Sequence, residues 1–444
     1  HRDLHVRSRR QRQMCIRDSI NMIRNRKLKE KLWLIVVILM AMIYPMQVYF
    51  NSPLPSLLPY LVISLIIFLS LTKRSVKKLP SIRAIKKPIE LVILIFTILV
   101  LFHTGLQISF SLVSVYQGIA AIIIFIFPTI FFIYFRNIFF ENEIRSFLAG
   151  VAIAGLVIGC YFVYDSVSKL IFRVSSDYNM LAHMYSLERM GQTLAEANPT
   201  RISLGGRSMG LLDKHIASAT WISFGCFASL ALLPYRAIFK RSIIISMYCA
   251  ILIIGLNFTG IAAFLITIFF IEFRIYTLLR FRISSIALKV LINSFLCFFS
   301  VLLITNVFLN FKLIQLISGL LSKQFNILFI TSPNNSSGES YLGEMLLSLT
   351  YYPINIFNYP VGLLIGDGFT TGFGVVPKGG DFGIIETLYR LGIPLFLLVF
   401  LGLIKLIYRS LTRIEFYLTK NINACYLRFA SQVTLFLIIT EVHY

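Results

Sequence analysis

The stretch "GGRSMGLLDKH" (205–215) sits immediately before an apolar run that opens at Ile216. It gathers Arg207, Asp213, Lys214 and His215, and Arg173, Arg189 and Arg201 precede it in the same polar segment. A guanidinium group holds phosphate oxygens through two parallel hydrogen bonds, which a lysine ammonium cannot do. Arginines placed just outside an apolar run therefore suit an anion carried on a lipid, such as a pyrophosphate. His215 lies beside them and titrates in the range a general base needs. The plain alternative is a solvated loop end whose charges only face water.

A second stretch, "LLIGDGFTTGFGVVPKGGDFGIIETLYRLGIPLF" (363–396), is crowded with glycine. Gly366, Gly368, Gly372, Gly374, Gly379 and Gly380 permit close backbone approach, and exposed N–H groups in such a segment bind anions. It contains no GxxxxGK[ST], so it is not a P-loop. Asp381 closes the segment where the next helix begins; it fits both a helix N-cap and a catalytic carboxylate. Glu386 and Arg390 follow, four apart, as an i,i+4 ion pair or as groups facing a cavity. His103 stands alone near a span end and reads as structural, His183 lies in the first polar segment, and Glu272 and Lys289 are expected to snorkel to an interface. HExxH, GxSxG and EF-hand patterns are absent and no CxxC occurs, so neither a metal nor another cofactor is implied.

The rest of the chain is what must position these residues. Of 444 residues, 57% are hydrophobic and 14% charged, against about 25% charged in soluble domains. The mean hydropathy is +0.80. Apolar runs fall at about 33–50, 56–72, 90–105, 115–135, 147–168, 216–234, 242–257, 259–273, 286–306, 384–407 and 424–444. The fold class this predicts is all-α: a polytopic membrane protein of about eleven transmembrane helices. The net charge of +23 sits in the short loops, including Lys73 to Lys87, Arg236, Lys240 and Arg241, Arg274 to Lys289, and Lys405 to Lys420. By the positive-inside rule these loops and the N-terminus are cytoplasmic, and anionic lipid is a partner. Nucleic acid is not expected as a partner, since no basic module stands apart from the spans.

The expected organisation is a cytoplasmic N-terminus at 20–32, five spans over 33–168, an exterior arginine-rich segment at 169–215 and four spans over 216–306. A large exterior loop at 307–383 and the last spans at 384–444 follow. The run at 242–273 is split in two at "GLNFTG" (255–260), because the basic loops flanking it must share a side. Residues 1–19, "HRDLHVRSRRQRQMCIRDS", read as translated sequencing-adapter text, with a natural start near Met22, and the final helix reads as cut short, with twelve expected natively. Five of the six cysteines fall inside apolar runs, so no disulfide framework is implied.

Four features together resemble the bacterial O-antigen polymerase and O-antigen ligase family. They are the span count with its cytoplasmic N-terminus, "RSMGLLDKHIASA" (207–219), "LLIGDGF" (363–369), and "GGDFGIIETLYRLGIPLFLLVFLGL" (379–403). The resemblance covers about residues 150–410 and implies a GT-C-like glycosyltransferase architecture acting on undecaprenyl-diphosphate-linked oligosaccharides. Ligases of the family carry a His-Asn-like pair where this chain has Asp381-Phe382, which favours a polymerase. Two departures are that Glu339 stands where many members have an arginine, and that "NFTG" (257–260) lacks the arginine often found there. The resemblance implies Arg201, Arg207 and Lys214 as the diphosphate-binding set and Asp381 or His215 as the base. Gly210, Asp213, Gly366, Gly368, Glu386 and Arg390 are expected in support, and a separate chain-length regulator is an expected partner. A lipid-glycan flippase is the nearest rival, although no internal repeat of the kind carriers show is evident.

Overall fold

The computed structural model describes residues 27–52, 54–71, 88–109, 141–169, 173–190, 208–212, 215–234, 237–255, 258–273, 285–308, 383–412 and 422–441, with isolated positions near 115–122, 318 and 364. Among these residues the secondary structure is helical and there is no strand. In chain order the helices are α1 (Lys27–Phe50), α2 (Leu58–Leu71, entered through a 3-10 turn at Leu54–Leu57), α3 (Pro88–Ser109) and α4 (Glu141–Val167). Then come α5 (Asp177–Met190), α6 (His215–Leu232), α7 (Ile238–Ile254) and α8 (Phe258–Thr267, extended by a π turn at Ile268–Glu272). The last are α9 (Ser285–Phe308), α10 (Gly383–Thr412) and α11 (Ile422–Glu441).

Each helix other than α5 lies on an apolar run of the sequence. Two of them, Lys27–Phe50 and the Asn142–Val167 part of α4, are long and apolar enough to cross a membrane. Six shorter apolar helical stretches of 10–17 residues lie on α3, α6, α8, α9, α10 and α11. The expected break inside 242–273 is present, since α7 ends at Ile254 and α8 starts at Phe258. The first polar segment, 169–215, contains α5, a helix of 14 residues.

The chain divides into two compact units. The first comprises His1–Leu79, Ile138–Asn257 and Glu415–Phe429. Its centre is the pairing of α4 with α6. A Cβ built on Gly155 would stand 2.5 Å from the Gly225 Cα and 2.6 Å from the Trp221 carbonyl oxygen, so the two backbones meet with no room between them. Small residues at such a crossing let dispersion act over the full contact, which matters most where burial from water does not drive packing. Leu148, Ile158 and Phe162 of α4 and Ile222, Cys226 and Phe227 of α6 are fully buried in this unit.

The other end of α6 is closed by two arginines. Arg241 Nη1 donates to the Leu230 and Leu233 carbonyls at 2.8 and 3.1 Å, and Arg428 Nη2 donates to the Leu230 carbonyl at 2.6 Å. Both side chains are buried, and both serve the orphan carbonyls and the negative pole of a helix C-terminus. The sequence places Arg241 among solvated loop cations; in the structure it is a buried C-terminal cap.

The second unit comprises Pro80–Asn137, Phe258–Ile414 and Ala430–Tyr444. There Val100 of α3 packs against Leu391 and Leu395 of α10. One to two turns further along α3, His103, Thr104 and Gln107 are also buried. Glu272 does not snorkel: it is 1% exposed, and Gln432 Nε2 donates to its Oε2 at 3.4 Å. A buried carboxylate keeps its place only where donors meet it, as here. Lys289 is exposed.

The single span expected at 384–407 is broken. Gly392 has φ 72° and ψ 163°, and Pro394 follows two residues later. Proline removes the hydrogen bond to the carbonyl four residues back and disfavours helical geometry at Ile393, while Gly392 takes a backbone region closed to side chains. Gly392→Ala is therefore expected to lower stability by about 1–3 kcal/mol. Thermal unfolding in detergent, followed by circular dichroism, measures the loss.

Candidate functional site

The most strongly tied polar group in the first unit is Asp165, near the C-terminal end of α4. Helix α4 gives way after Val167 to a wider π-type turn at Ser168 and Lys169. On that turn Lys169 reaches back four residues, with its Nζ 3.5 Å from Asp165 Oδ1 and both side chains fully buried. Asn179 Nδ2 donates to the same oxygen at 2.5 Å, and Ser208 Oγ donates to Oδ2 at 2.6 Å. None of these four residues is more than 1% exposed.

Burying two charges away from water costs several kcal/mol per ion, on the order of what the pair and its hydrogen bonds return. The arrangement is therefore tolerated only with good geometry. Its three donors come from three different segments, so the carboxylate ties α4, α5 and the chain at 208 to one another. Both oxygens are engaged and shielded from water. Asp165 thus serves as an anchor rather than as a base open to substrate.

Helix α5 is delivered to this anchor by its own N-terminus. Ser176 is the N-cap: its Oγ accepts from the Asn179 N–H at 3.3 Å and also pairs with the Tyr161 hydroxyl at 2.7 Å. Asp177 in the first turn suits the positive pole of the helix. Helix α5 also buries Ala182 and Tyr185 against Val48 and Tyr44 of α1. His183, expected in an exterior segment, is buried on this helix.

Residues 208–212 then run as a strap across the ends of α4, α5 and α6. Ser218 Oγ of α6 donates to the Met209 carbonyl at 2.8 Å, and the Tyr178 hydroxyl of α5 donates to the Leu211 carbonyl at 2.5 Å. The Gly210 N–H donates to Ser208 Oγ at 3.2 Å. Within the strap, Met209 and Leu212 are buried. Gly210 has φ +67°, and a Cβ there would lie 2.6 Å from Ser218 Oγ and 2.9 Å from the Phe162 ring. Only glycine makes this turn in this space.

Of the residues singled out by sequence, the structure brings Gly210 into this assembly. His215 opens α6, and Glu386 and Arg390 lie in the first turns of α10, with their side chains outside the described residues. Arg201, Arg207, Asp213, Lys214, Asp381, Gly366 and Gly368 lie outside the described residues altogether. Asp165, Lys169, Asn179, Ser208, Tyr178 and Ser218 were missed. A signal for the first two was present: an acid and a lysine four apart at the end of an apolar run, where ionisable groups are costly and therefore informative.

No protein-family model matches this chain, and neither does any curated protein or solved structure.

Proposed function

We propose that this protein is a multi-pass protein of a bacterial cytoplasmic membrane that joins undecaprenyl-diphosphate-linked oligosaccharide units on the exterior face. The observation that carries the reading is the strap: the chain next to Arg207 is fastened by three helix ends at one level, where a lipid-borne diphosphate would lie. Arg201, Arg207 and Lys214 hold the diphosphate and take up the negative charge that grows on it. Asp381 or His215 accepts the proton of the acceptor sugar hydroxyl. The hydroxyl oxygen forms a bond to the anomeric carbon of the donor sugar, the bond from that carbon to the diphosphate oxygen breaks, and undecaprenyl diphosphate departs.

The membrane topology is supported by one hydrogen bond. Between Leu230, near the end of α6, and Arg428, near the start of α11, lie α7, α8, α9 and α10. Four crossings return the chain to the starting face, which the Arg428–Leu230 bond asks of its two ends. A single crossing over 238–272 would make the number odd.

The ligase reading differs only in the acceptor, a lipid core in place of a second lipid-linked unit. A flippase is favoured by one observation, the fully buried Asp165–Lys169 pair, since such pairs also mark transport pathways. Sealed proteoliposomes carrying labelled lipid-linked units separate these readings. Elongated glycan on one leaflet is the expected result. Movement of unextended lipid-linked units across the bilayer would replace the proposal with a flippase.

A further inference from the structure

We infer that Asp165 is a positioning residue: by holding Ser208 it fixes the chain at the residue that immediately follows Arg207 in the sequence. The inference rests on the reading above for what Arg207 does, but not for where the strap is held. Ser208 is the first residue of the strap, and its hydroxyl has two bonds, one to Asp165 Oδ2 at 2.6 Å and one from the Gly210 N–H at 3.2 Å. A single hydroxyl therefore links the anchor below to the turn above. Arg207 is joined to Ser208 by one peptide bond. Whatever fixes Ser208 limits where the guanidinium can go. A reacting group moved by about 1 Å loses up to about a hundredfold in rate.

The same carboxylate spreads this constraint to its neighbours. Through Asn179 it holds the first turn of α5, and α5 in turn supplies the Tyr178 hydroxyl to the Leu211 carbonyl. Through Lys169 it closes the turn that leads into α5. The strap is thus gripped at Ser208 by the acid directly and at Leu211 by a helix the acid also holds. Asn179 and Ser208 both donate to this carboxylate, so exchanging the acid for its amide would set an N–H donor against one of them.

Asp165→Asn carries the risk of misfolding, because it leaves the buried Lys169 without this counter-charge. Ser208→Ala is the gentler test: it cuts the strap from the anchor and keeps the bonds among Asp165, Asn179 and Lys169. The experiment uses the full chain in lipid nanodiscs with the six native cysteines replaced by alanine and a nitroxide at Leu211→Cys. The spectrum should be that of an immobilised label, and Ser208→Ala should add a mobile component. An unchanged spectrum would overturn the inference, whatever the enzyme does.

The functional arm measures elongation of lipid-linked repeat units without the label. Ser208→Ala should lower kcat by about tenfold when Arg207 is present, and should cause no further loss in an Arg207→Ala background. Equal losses in both backgrounds would mean that Ser208 supports the fold alone, and would also overturn the inference. A label that loosens in a protein that elongates nothing, even with Arg207 intact, would retain the positioning of the strap and refute the polymerase reading instead.

Discussion

Arg207→Ala is expected to lower the rate of repeat-unit joining by about a hundredfold to a thousandfold, the range seen when one group aimed at developing charge is removed. A diphosphate ester carries charge before reaction and gains more as the glycosidic oxygen departs, so a guanidinium there binds the transition state more tightly than the ground state. The loss should therefore fall mainly on kcat, with a smaller rise in KM for the donor and none for the acceptor. Arg207→Lys retains the charge and forfeits the forked pair of hydrogen bonds, and should recover part of the rate. Purified protein in proteoliposomes, supplied with lipid-linked units and read by product length on a gel, checks this. A normal rate for Arg207→Ala would remove Arg207 from the chemistry.

The sequence shows more of the scaffold than of the site, and for a physical reason. Long apolar runs favour helices, because each backbone group buried away from water must find a hydrogen-bond partner, and a helix supplies it locally. That is why α1, α4, α6, α7, α8 and α9 fall where hydropathy puts them, including the break at "GLNF" before α8. What hydropathy does not carry is exchange between distant polar groups. Asp165 and Ser208 are 43 residues apart and Asp165 and Asn179 are 14 apart, so no local pattern announces their bonds. Helix α5 was hidden for a related reason: its sequence, "DYNMLAHMYSLERM", is balanced between polar and apolar and is stabilised by capping at Ser176 and by contact with α1.

Charge was the least transparent signal. Arg241 counts toward a basic loop when read by number, yet its guanidinium is spent on the carbonyls that end α6. The opposite holds at Gly210, where a residue chosen for its place in a motif proves to have a conformational need, φ +67°, that the motif alone did not state. Gly392 shows the limit of run length as a guide. A stretch of apolar residues long enough for one helix contains a break, and "GIP" was the local sign of it.

Gly155→Leu should be the most destabilising single change in the first unit, with Gly155→Ala next to it. The ground is steric. At Gly155 the nearest atoms to an added Cβ are the Gly225 Cα at 2.5 Å, the Trp221 carbonyl oxygen at 2.6 Å and the Gly225 nitrogen at 2.9 Å. All are backbone, so no side chain can swing aside, and α4 must move away from α6. Overpacking of this kind costs about 1–3 kcal/mol for a small group and more for a large one. Separation would also draw Asp165 away from the strap, because α4 carries the acid and α6 carries Ser218. Stability and elongation should therefore fall together. Cys226 of α6 is fully buried and gives a direct reading, since a thiol-reactive dye reaches it only when the pair opens. In a variant retaining Cys226 as the one cysteine, the dye signal of Gly155→Ala should rise at a lower temperature than that of the parent, and that of Gly155→Leu lower still. An unshifted midpoint for both would mean that α4 and α6 do not meet at these glycines, and the anchor at Asp165 would lose the frame that holds it against the strap.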